Sequence, residues 1–94
     1  MRPERVRVVE WQELTRSQAS KIGLTDRMRV AHLADLSRVA VVRCVDENGD
    51  KVTALGAVER FHKLLRSGEA RDRGGMTLDR FPGVVMPGWF DEAG

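Results

Sequence analysis

The stretch that decides the fold is Val39–Leu55, VAVVRCVDENGDKVTAL, in which the pair Asn48-Gly49 separates two valine-rich runs. Asparagine and glycine both accept positive φ, so the pattern predicts a β-hairpin with a two-residue turn. Such a turn would pair Val45 with Val52. We therefore expect a small sheet built on a hairpin from Val39 to Val52.

One strand and two helices are expected before this hairpin, and one helix after it. Val6–Val9 alternates apolar and charged residues before becoming apolar, which predicts a short strand that could pair with the hairpin. The apolar spacing of Trp11–Ile22 is nearly helical, and Thr25 is placed to cap a second helix over Asp26–Ser37. From Ala57 to Ser67 a single apolar stripe predicts a third helix, ended by Ser67-Gly68. The expected fold class is α+β with two to three helices.

The charges are unevenly distributed along the chain. The 94 residues include 16 basic and 14 acidic side chains, so the net charge of +2 indicates no partner by itself. From Arg16 to Arg43, however, six basic residues stand against two acidic ones, and from Cys44 to Glu59 one basic residue stands against four acidic ones. The surface is therefore expected to be dipolar, with one region suited to an anionic partner.

The cysteine content and hydropathy indicate the compartment. Cys44 is the one cysteine, so no internal disulfide can form, which is typical of cytosolic proteins. No apolar run approaches the roughly 20 residues of a membrane span, and no basic and then apolar leader opens the chain. We expect a soluble, cytoplasmic protein without a membrane association.

The segment Ala19–Thr25, ASKIGLT, resembles the central turn of helix-turn-helix proteins. In that family a small residue lets two helices approach, Gly23 would adopt positive φ, and Thr25 would cap the helix that enters the major groove. With the hairpin following, the order resembles a winged-helix domain whose wing is the loop at Asn48-Gly49. The resemblance implies DNA binding. The residues expected to contact nucleic acid are Arg16, Lys21, Thr25, Arg27, Arg29 and Arg38.

The last 26 residues differ from the rest, so we expect a compact domain over 1–68 and an extended arm over 69–94. Pro82-Gly83 and Pro87-Gly88 suit type II turns, and the apolar residues around them follow no helical or alternating period. Such a segment either folds back onto its own core or docks into another chain. The residues expected to bind a partner are Phe81, Val85, Met86, Trp89 and Phe90.

Catalytic and metal-binding patterns are weak in this sequence. His32 and His62 fall on separate predicted helices and Cys44 on a strand, without the spacing of a zinc site. We expect a non-enzymatic binding protein without metal or cofactor. The leading hypothesis is a nucleic-acid-binding or regulatory helix-turn-helix-like module. The alternative is a protein-interaction or assembly subunit, such as a virion or complex accessory protein, that docks on a partner or on its own copies through the C-terminal arm.

Overall fold

The computed structural model describes residues 5–71, 73–77 and 83–90, and in them one antiparallel sheet of five strands is flanked by three helices. The elements are β1 (Arg5–Thr15), α1 (Arg16–Lys21), α2 (Thr25–Val30), β2 (Arg38–Asp46), β3 (Lys51–Ala57), α3 (Val58–Ser67), β4 (Gly75–Thr77) and β5 (Gly83–Pro87). The strands lie in the order β4-β1-β2-β3-β5. The α+β class expected from the sequence is confirmed.

The β2–β3 hairpin forms around Asn48-Gly49, but its register differs by one residue from the prediction. The Asp46 N–H donates to the Asp50 carbonyl at 2.9 Å, and the Asp46 carboxylate accepts the N–H groups of Asn48 and Asp50, each at 2.9 Å. Gly49 takes a φ of 85°. These bonds close a three-residue loop, in which the Asp46 carboxylate binds two backbone N–H groups and Gly49 supplies the left-handed residue that such loops require. Val45 consequently pairs with Lys51, and the predicted two-residue turn was wrong.

Strand β1 is longer than the sequence indicated. The strand expected at Val6–Val9 continues to Thr15, so the helix expected over Trp11–Ile22 is wrong in its first part. The register shifts between Val8 and Glu10, which is a β-bulge. Beyond the bulge, Trp11 and Leu14 face opposite sides of the sheet. Both faces of the sheet are covered, so both residues are apolar. Their spacing of three residues is also that of one face of a helix.

Helices α1 and α2 begin in different ways. Thr15 and Gln18 form a capping box at the start of α1, in which each side chain accepts the other residue's backbone N–H. Gly23, with a φ of 83°, turns the chain toward α2. Leu24 occupies the N-cap of α2 without a side-chain bond. The capping role expected for Thr25 was therefore wrong, since Thr25 is already the first helical residue.

Helix α2 ends at Val30, well before the predicted end at Ser37. His32 adopts a left-handed φ of 59°. The Leu33 N–H donates to the Met28 carbonyl at 2.7 Å, and the His32 N–H donates to the Arg29 carbonyl at 3.1 Å. This pair of bonds is a Schellman motif, which terminates the helix although no glycine is present.

Both faces of the sheet are covered, which explains why consecutive residues of the central strand β2 are apolar. One face packs against α3, and we call it the α3 face. Its buried residues are Val6, Val8, Ala40, Val42, Cys44, Ala54, Phe61, Leu64, Ala70 and Met76. The opposite side, which we call the Arg43 face, packs against α1 and α2. Its buried residues are Leu14, Ala19, Leu24, Met28, Leu33, Val39, Val41, Leu55 and Met86.

The C-terminal segment supplies both edge strands of this sheet. Strand β4 pairs with β1 through Arg5 and Thr77, and β5 pairs with β3 through Gly56 and Gly83. The described part of the segment thus folds back onto its own core, the first of the two alternatives left open by the sequence. Helix α3 agrees with its prediction and ends at Gly68. Within the described residues no helix has both the length and the apolar character that crossing a membrane requires.

Candidate nucleic-acid interface

The residues of α1 and α2 that are predicted to contact nucleic acid have different surroundings. The Arg16 guanidinium donates twice to the Leu36 carbonyl, with both nitrogens at 3.3 Å. Arg29 lies 3.6 Å from Asp26 in the same helix. Lys21 and Thr25 are exposed at the end of α1 and the start of α2. Arg27 departs from this group, because its guanidinium lies over an aromatic ring of the C-terminal segment.

Arg38, the sixth predicted contact, belongs to a different cluster at the rim of the α3 face. Its guanidinium lies 3.2 Å from the Glu13 carboxylate, whose other oxygen lies 3.3 Å from His62 Nε2. The Trp11 ring meets His62 edge-on at 5.5 Å and Phe61 at 4.9 Å between centroids. The cluster fastens β1, β2 and α3 together, so Arg38 already has a structural partner.

Two of the predicted partner-binding residues, Trp89 and Phe90, lie half-buried on the Arg43 face. Gly88 has a φ of 81°, as in the type II turn expected at Pro87-Gly88, and its N–H donates to the Lys51 carbonyl at 2.8 Å. Trp89 Nε1 donates to the Cys44 carbonyl at 2.9 Å. The Arg43 guanidinium donates to the Phe90 carbonyl at 3.0 Å. The chain therefore reverses after β5 and lays both rings over β3 and β2.

Each of these rings carries a cation. Arg27 Cζ lies 5.1 Å from the centroid of the Phe90 ring, and Lys51 Nζ lies 4.8 Å from that of Trp89. Both distances are within the range of cation–π attraction. Together with Arg43 these residues form one patch, which we call the aromatic–cation surface. Its members are Arg27, Arg43, Lys51, Trp89 and Phe90.

Arg43 is the least exposed cation of this surface, with 19% of its side chain accessible. It forms an ion pair with Glu10 and bonds the Phe90 carbonyl, yet its Nε is buried without a hydrogen-bond partner. Leaving a buried donor unsatisfied costs about 1–3 kcal/mol. The partly buried guanidinium is therefore held by Glu10 and by the Phe90 carbonyl, with one donor left unsatisfied.

Strand pairing adds a fourth cation to this face. Arg7 pairs with Val45, and Val45 pairs with Lys51, so the three side chains share one side of the sheet. Arg7 and Lys51 are both exposed. Arg7 therefore extends the row of basic side chains onto β1, where Glu10 on the same face pairs with Arg43.

The other residues expected to bind a partner have different positions. Met86 is 4% exposed and belongs to the core, whereas Val85 on β5 is 39% exposed. Phe81 lies outside the described residues. Sequence reasoning missed that Arg43, Lys51 and Arg7 share this face with the two aromatic rings. The available signal was the turn at Pro87-Gly88, which directs the following aromatic residues across the neighbouring strands β3 and β2.

Acid–base and metal chemistry find little support in the described part of the chain. Burial raises the pKa of the Cys44 thiol from its ordinary 9.0 to about 12, so the thiol stays protonated and is a poor nucleophile near neutral pH. No group of three or more histidine, cysteine or acidic side chains among the described residues is arranged to hold a metal ion.

Comparison with known proteins gives no relative. The chain matches no protein-family model, and no curated protein or solved structure is detectably similar to it.

Proposed function

We propose that this protein binds single-stranded nucleic acid through the aromatic–cation surface. The observation that supports the proposal is the pair of cation–aromatic contacts, Arg27 on Phe90 and Lys51 on Trp89, held side by side on one face of the sheet. Grooves that combine positive charge with aromatic side chains are typical of proteins that bind single strands.

The exposed cations supply the attraction to phosphate. Lys51 and Arg7 extend from the sheet into solvent on the same face, where each can approach a phosphate of the backbone. Arg43 is paired with Glu10, so it adds little to this attraction and acts instead by holding the Phe90 carbonyl at 3.0 Å. Binding of this kind releases counterions, so the affinity falls as the salt concentration rises.

Arg27 and Phe90 supply the surface on which a base stacks. A guanidinium is planar, stacks on aromatic rings, and itself serves as a platform for nucleic-acid bases. Phe90 therefore positions Arg27 for an incoming base. Bases present this flat surface only when they are unpaired, which favours a single strand over a duplex. The helix-turn-helix reading places its contacts on α1 and α2 instead, where Arg16 and Arg29 already have partners.

Fluorescence anisotropy with a labelled single strand of about 12 nucleotides tests this proposal. We expect binding at low salt, with log affinity falling by about 0.7 per phosphate contact for each unit of log salt concentration. Arg27→Gln and Lys51→Gln should each weaken binding. Arg66→Gln is the matched control, since it removes one exposed positive charge from α3 on the other face.

Three outcomes decide the matter. Equal losses from Arg66→Gln and Lys51→Gln would show that only net charge is sensed. Tighter binding of a duplex of the same sequence would favour the helix-turn-helix hypothesis. Absence of binding at low salt would exclude both single-strand binding and helix-turn-helix binding of a duplex.

A protein partner is the second candidate, favoured by the edge strand β5. Its outer side has no neighbouring strand among the described residues, and Val85 on it is exposed. An open edge with an exposed apolar side chain suits the addition of a strand from another chain. Sedimentation equilibrium should then show self-association that Val85→Lys abolishes. A monomer at every concentration would leave homo-oligomer formation without support.

A further inference from the structure

A cleft of about 600 Å³ opens at the end of the sheet away from the hairpin loop. It lies where the segment after α2, the start of α3 and the start of β5 meet. The apolar residues of its wall include Leu33, Leu36, Ala57 and Val84. This volume is within the range of small-molecule sites in proteins, which are mostly apolar with a few polar groups that fix orientation.

The ionisable side chains that line this cleft are of one kind. Among its described residues they are His32 and Arg60, and no carboxylate is present. Arg60 makes no ion pair within the described part of the chain. An exposed guanidinium beside an apolar wall matches a carboxylate joined to an apolar body, because Arg pairs with carboxylates through two parallel hydrogen bonds. We propose that this cleft binds a small carboxylic acid with an apolar chain or ring.

His32 is the second polar side chain at this cleft. Its backbone is left-handed, with a φ of 59°, at the Schellman position after α2 where glycine is usual. A histidine there destabilises the fold relative to glycine, because its Cβ crowds the backbone in this conformation. In the described part of the chain its side chain makes no bond that offsets the loss. Its exposed imidazole is free to donate a hydrogen bond to a ligand in the cleft.

The probe is octanoate, titrated into the full chain and followed by amide resonances in ¹H–¹⁵N spectra. We expect saturable shifts centred on the amides of Ala31, Leu33 and Val84. Octanol and octylamine, which share the apolar chain but are neutral or positively charged, should bind at least tenfold more weakly, because they lack the charged acceptor. Equal binding of the three compounds would show that charge is not recognised and would overturn the proposal.

Single substitutions test whether Arg60 and His32 contact octanoate or whether any loss of charge weakens binding. Arg60→Gln should weaken octanoate binding by about tenfold or more, whereas Arg66→Gln, on the same helix but away from the cleft, should not. His32→Gly should raise the melting temperature and yet weaken binding. A His32→Gly variant that binds octanoate as tightly as the original chain would exclude a ligand role for the imidazole and overturn that part of the proposal.

The occupant of the cleft could instead come from the chain itself. Residues 78–82 precede Gly83 in sequence and lie outside the described residues. Octanoate binding to Phe81→Ala but not to the original chain would show an internal occupant and overturn the proposal. The cleft is separate from the aromatic–cation surface, so the outcome does not depend on nucleic-acid binding.

Discussion

The two faces of the sheet are built in different ways. The α3 face is closed by one ten-residue amphipathic helix that follows β3 without a loop and buries Phe61 completely. The Arg43 face is covered in pieces, by two helices of six residues and by the returning Trp89 and Phe90. The first arrangement supplies apolar burial, and the second leaves charge and aromatic surface accessible. Such departures from good packing are expected where a protein binds something.

The largest effect on stability should come from Phe61→Ala on the α3 face. The ring is fully buried and packs edge-on against Trp11. Its removal leaves a cavity and should lower the free energy of unfolding by about 3–5 kcal/mol, a large part of the total for a domain of this size. Urea denaturation measures the loss. A change below about 1 kcal/mol would contradict the assignment of this face as the main core.

Cys44, also buried on the α3 face, should make the free energy of unfolding fall as the pH rises above 9. Burial raises the pKa of its thiol from 9.0 to about 12, so only the unfolded chain ionises it readily between these values. The contribution is fully present below pH 9. It is lost as the pH rises toward 12, by up to about 1.4 kcal/mol per pH unit.

Chemical denaturation of the original chain and of Cys44→Ala at several pH values above 9 tests this expectation. The difference between the two curves isolates the thiol from the lysines and arginines that titrate in the same range. Parallel curves would show that the thiol is solvated in the folded protein.

Much of the α3 face could be predicted from the sequence because its signals are local. The stripe of α3 repeats within a few residues, and Gly68 marks its end. The hairpin was also evident, although its register depends on the side chain of Asp46, which bonds within the loop. The prediction for β1 was wrong because its bulge arises from pairing with Cys44 and Arg43, which lie far along the chain.

The Arg43 face could not be predicted in the same way. Trp89 donates to Cys44, 45 residues away, and Arg43 reaches Phe90, 47 residues away. No periodicity in the sequence connects segments so distant. The helix-turn-helix resemblance drew attention to α1 and α2, and only Arg27 of the residues it implied lies on the aromatic–cation surface.

On the Arg43 face, substitution of the partly buried Arg43 should affect binding more than folding. Arg43→Met keeps the apolar stem and removes both the unsatisfied Nε and the bond to the Phe90 carbonyl. Because these changes oppose each other, we expect the free energy of unfolding to change by less than about 1 kcal/mol. Affinity for a single strand should fall about tenfold, which is about 1.4 kcal/mol. Unfolding of the variant would instead assign Arg43 a structural role.

Two glycines allow the faces to be compared with substitutions that should lower the free energy of unfolding equally. Gly68 ends α3 with a φ of 82°, and Gly88 turns the chain toward Trp89 with a φ of 81°; an added Cβ meets nothing within 4 Å at either position. Gly68→Ala and Gly88→Ala should therefore each lower the free energy of unfolding by about 1 kcal/mol through backbone strain alone. Their effects on nucleic-acid binding should differ, because only Gly88 sets the position of Trp89 and Phe90.

Anisotropy at a temperature where both variants are folded should show weaker binding for Gly88→Ala and the original affinity for Gly68→Ala. If both variants bind alike, the returning segment does not form the binding surface, and the difference between the faces concerns folding alone.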